Sequence, residues 1–353
     1  MERVPTAAGP DGSVPALAEL CCEAVAAQLL RLPCRLDHLP PRARQCILRH
    51  AIASGTLEEE HLPLFGGLSE LVLKGSKVTD KGLEHVAAAC GARLRALDLS
   101  QCVRLLSDAG VAALLRACPK LQTLDLSHCR LTDASIEAAA QHCPTLTALD
   151  YSWNGSGVGD RSARAVAAHC HHLGSLRLCG SRVTDAALLA LACACPRLRT
   201  LEVRGCHLLS EAGVVAVASR LPHLAALRPS QWRHFSDASV ELLVRCCGGL
   251  TALDLSMCDR LDDAAVGRAA RGLPQLRTLH CYGMGRLSTP HLASASLTHV
   301  CLSGCRALSE PRLACRALTS CALQSCKDLT ANPNPNPNPD PDPDPDPDPN
   351  PYP

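Results

Sequence analysis

The sequence predicts an α/β solenoid with one short strand and one helix per turn, parallel strands on a concave face and helices outside. Three observations lead there. The first is a returning phrase: Leu97-Asp98-Leu99-Ser100-Gln101-Cys102 comes back as Leu124-Asp125-Leu126-Ser127-His128-Cys129 and as Leu253-Asp254-Leu255-Ser256-Met257-Cys258. The second is its period. Leading leucines fall at Leu68, Leu94, Leu121, Leu146, Leu173, Leu198, Leu224, Leu250 and Leu276, 25 to 27 residues apart, and two steps of 21 then reach Leu297 and Leu318. The third is the content of the other columns, a cysteine after the strand and a hydroxyl–acid pair before the helix. An L-x-x-L-x-L-x-x-C/N unit at such a period is the signature of a leucine-rich repeat. About eleven turns would form a horseshoe, a stack suited to binding another macromolecule.

Each column has a physical reason. In Leu94-x-x-Leu97-x-Leu99 the last two leucines flank Asp98, the period of a strand with one buried face. Three residues past the strand, one slot holds Cys102, Cys129, Cys206, Cys258, Cys305 and Cys326, with Asn154 once and Ser76 and Ser181 elsewhere. These side chains are small and can hydrogen-bond, so the slot is expected to be a stacked ladder tying each turn to the next. Helix starts follow at Thr79-Asp80, Ser107-Asp108, Thr132-Asp133, Thr184-Asp185, Ser210-Glu211, Ser236-Asp237 and Ser309-Glu310. The hydroxyl caps a free backbone N–H, and the acid suits the positive end of the helix dipole. Leu83 with Val86, Val111 with Leu115, and Val240 with Leu243 supply the inner helical face. A second cysteine column closes the helices at Cys90, Cys118, Cys143, Cys170, Cys195 and Cys246.

Composition narrows the function. The apolar fraction of 47% suffices for a core, and with aromatics at 2% leucine, alanine and valine must fill it. The 35 basic and 34 acidic residues nearly cancel, which argues against nucleic acid or a membrane surface as the main partner. No apolar run approaches the roughly 18–20 residues of a membrane span. Cysteine, 23 of 353 residues, falls below the about 8–10% of disulfide scaffolds. Met1–Val14 is polar and rich in Pro and Gly, with no apolar stretch of a secretory signal. The expected compartment is therefore reducing, cytoplasm or nucleus. His142-Cys143, Cys170-His171-His172 and Cys193-Ala194-Cys195 lack paired C-x-x-C spacing and lie where the repeat wants a cysteine, so no metal is expected. Walker loop, dinucleotide fingerprint and nucleophile elbow are all missing, and Gly155–Gly157 falls in a strand-to-helix bend. The reading is a protein without catalytic residues or cofactors.

From Leu68 to about Thr330 the chain resembles the cysteine-containing, RNI-like leucine-rich repeats found in F-box-type substrate receptors of ubiquitin ligases and their relatives. The segment before the repeats bears on which kind. Leu17-Ala-Glu-Leu-Cys21-Cys-Glu-Ala-Val25 resembles the BC box by which some receptors dock Elongin C. Its i, i+4, i+8 spacing sets Leu17, Cys21 and Val25 on one helical stripe, as a helix entering an apolar groove requires. Leu39-Pro40-Pro41-Arg42-Ala43 followed by Ile47-Leu48 is similar to the segment that contacts a cullin in Elongin-linked receptors. Gly55-Thr-Leu57 and Leu62-Pro-Leu64-Phe65 suggest a helical pair leading into the first repeat. This order resembles the leucine-rich-repeat receptors of the Zyg-eleven and Zer group. The implied role is a non-catalytic substrate-recognition subunit of a cullin-RING ubiquitin ligase, monomeric outside the complex. Two alternatives stay open. The helices could simply cap the first repeat of an interaction scaffold with no ligase role. Leu39-Pro40 with Ile47-Leu48 could instead open a divergent F-box binding a Skp-type adaptor, although the tryptophan usual near the end of an F-box is absent from 15–65.

A protein target would lie on the concave face. Asp98, Asp125 and Asp150 fall on neighbouring strands about 5 Å apart, a row of like charge that favours a basic partner, or whose acids bond to nearby serines. The next units change sign, with Arg177, Glu202, Arg204 and Arg228, before Asp254 and the His280–Tyr282 pair. Trp153 and Trp232 break the ladder region and, as tryptophans, are candidate interface anchors together with Arg204 and Arg228. Tyr151, in place of a strand leucine, is expected to point inward. The expected organisation is a disordered N-terminus over 1–14, a helical module over 15–65, repeats over 66–330 and a disordered Asn-Pro/Asp-Pro tail over 331–353. The shortened units after Leu276, with Ser288-Thr-Pro290 and no full helix, read as a fading end.

Overall fold

The leucine columns become strands. The computed structural model describes residues 17–27, 36, 38–103 and 105–329; the expectations for 1–14 and 331–353 lie outside the described residues. The chain divides into two compact units, one ending at Leu221 and one beginning at Pro222.

The first unit opens with α1 (Leu17–Ala26) packed on α2 (Pro41–Ala53). Pro40 and Pro41 start α2 with a preset backbone and no N–H to leave unpaired, and its inner face buries Ile47, Leu48 and Ala51. The expected helical pair over 55–65 is instead one 3-10 segment, Glu59–Phe65. Pro63 lies inside it, and a proline there costs a regular helix a donor and a clash. Six strands follow: β1 (Glu70–Val72), β2 (Ala96–Asp98), β3 (Thr123–Asp125), β4 (Ala148–Asp150), β5 (Ser175–Arg177) and β6 (Thr200–Glu202). They pair in chain order and in parallel, with Leu71, Leu97, Leu124, Leu149, Leu176 and Leu201 in register. All six leucines are buried.

Between the strands run α3 (Asp80–Cys90), α4 (Asp108–Arg116), α5 (Asp133–His142), α6 (Asp160–His169), α7 (Asp185–Ala194) and α8 (Glu211–Arg220). Thr79, Ser107, Thr132 and Ser210 cap their helices by accepting from backbone N–H groups, as the sequence pattern requires. The acid that follows does more than face the helix dipole. Asp80 accepts from the N–H and the hydroxyl of Ser107, the cap of the next turn, at 2.9 and 2.5 Å. Asp108 holds Thr132, Asp160 holds Thr184 and Asp185 holds Ser210 in the same two-point way. Each cap is thus tied to the turn before it by charge-assisted bonds, the stronger kind.

The cysteine ladder forms as expected. Cys102, Cys129 and Cys206 donate their thiols to the carbonyls of Leu73, Leu99 and Leu178, one turn back, at 3.3, 2.9 and 3.2 Å. Burial pushes the Cys129 thiol up to about 12 and the Cys206 thiol to about 11. Both therefore keep the proton they donate, and no disulfide joins the described cysteines.

The second unit repeats this plan and then shortens it. Its strands β7 (Ala226–Arg228), β8 (Ala252–Asp254) and β9 (Thr278–His280) alternate with α9 (Asp237–Cys246) and α10 (Asp263–Gly272). Beyond β9 the helices disappear. β10 (His291–Ser294) and β12 (Arg312–Cys315) take their place and pair with each other, while β11 (His299–Cys301) and β13 (Ser320–Ala322) extend the row from β9. Ser309-Glu310 is therefore not a helix start: Pro311 follows, and a strand begins at Arg312. A step of 21 residues leaves too few for a helix with its two connections, and four extended residues span the same layer. The second cysteine column also needs one change. Cys247, not Cys246, is the fully buried residue at the end of α9; Cys246 is half-buried.

At Asp237 a helix-cap tie of this kind is missing. Asp263 holds Ser288 as its counterparts do, but the residue opposite Asp237 is Asp262, an acid where a hydroxyl belongs. Asp237 Oδ1 is buried without a hydrogen-bond partner, and burial together with the charge of Asp262 raises its pKa. Asp262→Thr keeps a cap for α10 and supplies the missing donor, so it should stabilise the protein by about 1 kcal/mol at neutral pH. The sign with pH follows from the raised pKa. The wild type carries the cost of an ionised Asp237 at neutral pH and sheds it as the carboxyl takes up a proton on acidification. The gain should therefore shrink toward pH 4, and urea titrations of both proteins at the two pH values would reveal it. A gain that grows on acidification would contradict the reading.

Candidate protein-binding face

On the first unit the side chains between the buried leucines build a trough of about 340 Å³ over β1 to β5. Its floor is made of small residues, Ala96, Thr123, Ala148 and Ser175, and its wall is the register row Asp98, Asp125 and Asp150. Glu70 and the exposed Val72 lie at the β1 end, and Arg177 closes the β5 end.

Local bonds commit one oxygen of each acid. Oδ1 of Asp98, Asp125 and Asp150 accepts the backbone N–H two residues on, from Ser100, Ser127 and Ser152, at 2.8, 2.9 and 2.9 Å. The serine bonds considered from sequence are thus present, yet they leave the second oxygen of each carboxylate. At Asp150 that oxygen faces Arg177, whose Nη1 is 3.6 Å away while its Nε donates to Glu202 at 3.0 Å. Burial opposes the charge of Arg177, but Glu202 and Asp150 outweigh it and raise the pKa. Among the described residues, Asp98 and Asp125 meet no such cation. Burial raises the pKa of Asp125, Ser127 partly offsets it, and the charges of Asp150 and Asp98 add to the rise.

A border runs along the end of the strands. The residue just before the ladder slot is in the left-handed region in every turn: Gly75, Gln101, His128, Trp153, Gly180, Gly205, Gln231, Met257, Gly283, Gly304 and Ser325. Sequence reading missed this column, although its recurring glycines were the signal. Trp153 stands here at 40% exposure, stacked near-parallel with His128 at 6.2 Å between centroids. Gly180 makes room for it: a Cβ there would lie 2.5 Å from Trp153 Cε3.

Trp232 is the correction. It does not border the slot but fills it, eight residues after Leu224 as Cys258 is after Leu250. The slot points inward, so Trp232 is 1% exposed, edge-on to Phe235 at 5.8 Å. It is a core residue and not a surface anchor. Tyr151 is buried, as anticipated. Arg204 and Arg228 are exposed, Arg204 just after β6 and Arg228 at the end of β7. Asp254 is half-buried at the end of β8, its Oδ1 accepting from Ser256 N–H at 3.0 Å and its register partner being His280.

In the helical module Cys22 and Ala26 are the buried positions among the described side chains of α1; Cys22 donates to the Ala43 carbonyl at 3.8 Å. Cys21 is consequently exposed and Val25 half-buried, while Leu17 belongs to the same helix with its side chain outside the described residues. Leu39 is half-buried and Pro40 exposed at the start of α2. Among the described residues no three His, Cys, Asp or Glu side chains are grouped to hold a metal, and no helix is long and apolar enough to cross a membrane.

The Leucine Rich repeat family model matches residues 117–138. With the repeated strand–helix register, this identifies the fold as one of leucine-rich-repeat turns. It is 32% identical over 206 residues to Antagonist of mitotic exit network protein 1 of Eremothecium gossypii, covering 53% of this chain and 46% of that protein. It is 28% identical over 205 residues to F-box/LRR-repeat protein 4 of Bos taurus, covering 56% of this chain and 28% of that protein. The matches thus span less than half the length of either relative. Among solved structures, a chain in the Rad7 and Elc1 complex of yeast superposes with a TM-score of 0.55 at 16% identity, over 83% of this chain and 82% of that one. That likeness concerns the fold.

Proposed function

We propose that the protein is a non-catalytic substrate-recognition subunit of a cullin-RING ubiquitin ligase, acting in the cytoplasm or nucleus. The observation that carries the reading is the setting of α1. Its BC-box-like stripe leaves Cys21 exposed and Val25 half-exposed, while the neighbouring stripe of Cys22 and Ala26 is buried and Cys22 bonds to α2. An adaptor of the Elongin C type could therefore take the stripe without unpacking the module. Likeness to an F-box/LRR-repeat protein supports the same class of role. Protein targets would bind the strand face, and ubiquitin transfer would belong to other subunits.

Capture from cells with the intact protein, beside a Leu17→Ala, Cys21→Ala variant, tests this. Elongin B and C with a cullin should be recovered, and recovery should fall at least about tenfold in the variant, as for the loss of an interface anchor. Recovery of a Skp-type adaptor would move the interface to Leu39–Leu48. No adaptor with either folded protein would leave an interaction scaffold whose N-terminal helices are a cap.

A further inference from the structure

The geometry points to a basic protein segment as the occupant of the trough over β1 to β5, with arginine or lysine side chains held at Asp98 and Asp125 beside the Trp153–His128 shelf. The inference rests on reading the strand face as the target surface. Charge complementarity supports it first. Asp98 and Asp125 are adjacent in register, about 4.8 Å apart across the sheet. Each uses Oδ1 on a serine N–H and meets no basic side chain among the described residues.

The chain itself supplies the second argument. Arg177 lies on the same row and is held between Asp150 on one neighbouring strand and Glu202 on the other. The row is therefore already a guanidinium site at one end, and toward β1 the same positions repeat without the arginine. An incoming cation would relieve the mutual repulsion of neighbouring carboxylates as Arg177 does at Asp150.

The surroundings suit a long cationic side chain better than a small ion. The floor of alanine, threonine and serine leaves space for an aliphatic stem, which prefers such a surface while its head stays at the charges. Trp153 and His128 follow Asp150 and Asp125 by three residues, so chain geometry keeps them within about 10 Å. Trp153 is exposed and braced between His128 and Gly180, and an indole in such a position attracts arginine and lysine.

The test is fluorescence anisotropy of labelled hexa-arginine and hexa-lysine peptides with the full-length protein at low and physiological salt. Wild type should bind, and Asp98→Asn with Asp125→Asn should weaken binding at least tenfold. Glu84→Gln with Glu241→Gln removes the same net charge from exposed helix positions and should change affinity less than twofold. Trp153→Ala should weaken hexa-arginine more than hexa-lysine. Absence of binding by wild type, or equal losses in the two double variants, would overturn the inference. Adaptor capture through α1 is a separate readout, so failure of one reading is distinguishable from failure of the other.

Discussion

Asn154→Ala should destabilise the first unit by about 3–4 kcal/mol, although Asn154 touches no proposed partner. The residue occupies one position of the cysteine ladder and uses all its bonding capacity there. Its Oδ1 accepts from the backbone N–H groups of Cys129 and Leu131 at 3.0 and 3.2 Å, and its Nδ2 donates to the carbonyls of Leu126 and Tyr151 at 3.0 and 2.8 Å. All four bonds are buried, and Asn154 is 7% exposed. Each buried polar group left without a partner costs about 1–3 kcal/mol, and alanine orphans two donors at once. Asn154→Cys should recover roughly half the loss, because a thiol in that slot can donate to Leu126 as Cys129 donates to Leu99. It cannot accept as an amide does. Urea unfolding followed by circular dichroism would measure both. A loss under 1 kcal/mol for the alanine variant, or no recovery by cysteine, would mean that the ladder ties turns together far less than its geometry implies.

The ladder also shows how much could be read before the structure. Leucine period, thiol slot and hydroxyl cap are local rules repeated many times, so one turn teaches the next. Strand register, the small-residue slot and most helix starts follow from them. What escaped reading depends on contacts between turns. The pairing of Asp80 with Ser107 links residues 27 apart, and a single turn gives no reason to expect it. The left-handed column was hidden because only some of its members are glycine; His128 and Trp153 adopt the same backbone under constraint from their neighbours. Ser309-Glu310 has the right letters for a helix start, and the shortened step, a property of the whole turn, overrides them. In the candidate site the acid row was visible as a pattern. That Arg177 neutralises one end, and that no other described cation reaches Asp98 and Asp125, is set by side-chain geometry, which the row of letters does not contain.

The two tryptophans should separate cleanly on mutation. Trp232→Ala is expected to cost about 3–5 kcal/mol, the usual penalty for emptying a large buried aromatic site. The reason is local: Trp232 fills a slot that most other turns fill with cysteine, serine or asparagine and one fills with Met284, and the second unit has packed Phe235 against its ring. Trp232→Cys should therefore fare almost as badly, because the residue favoured elsewhere is far too small for a site already built around an indole. Trp153→Ala should change stability by less than about 1 kcal/mol, since its ring lies on the surface over Gly180 and surface substitutions seldom cost more. Intrinsic fluorescence makes the comparison direct. With Trp153 replaced by Phe, emission comes from Trp232 alone and should be blue-shifted until the protein unfolds. With Trp232 replaced, the remaining emission should be red-shifted in the folded state and sensitive to added quencher. If Trp232→Cys were as stable as wild type, the slot would be tolerant of size, and the tryptophan would need an explanation other than packing.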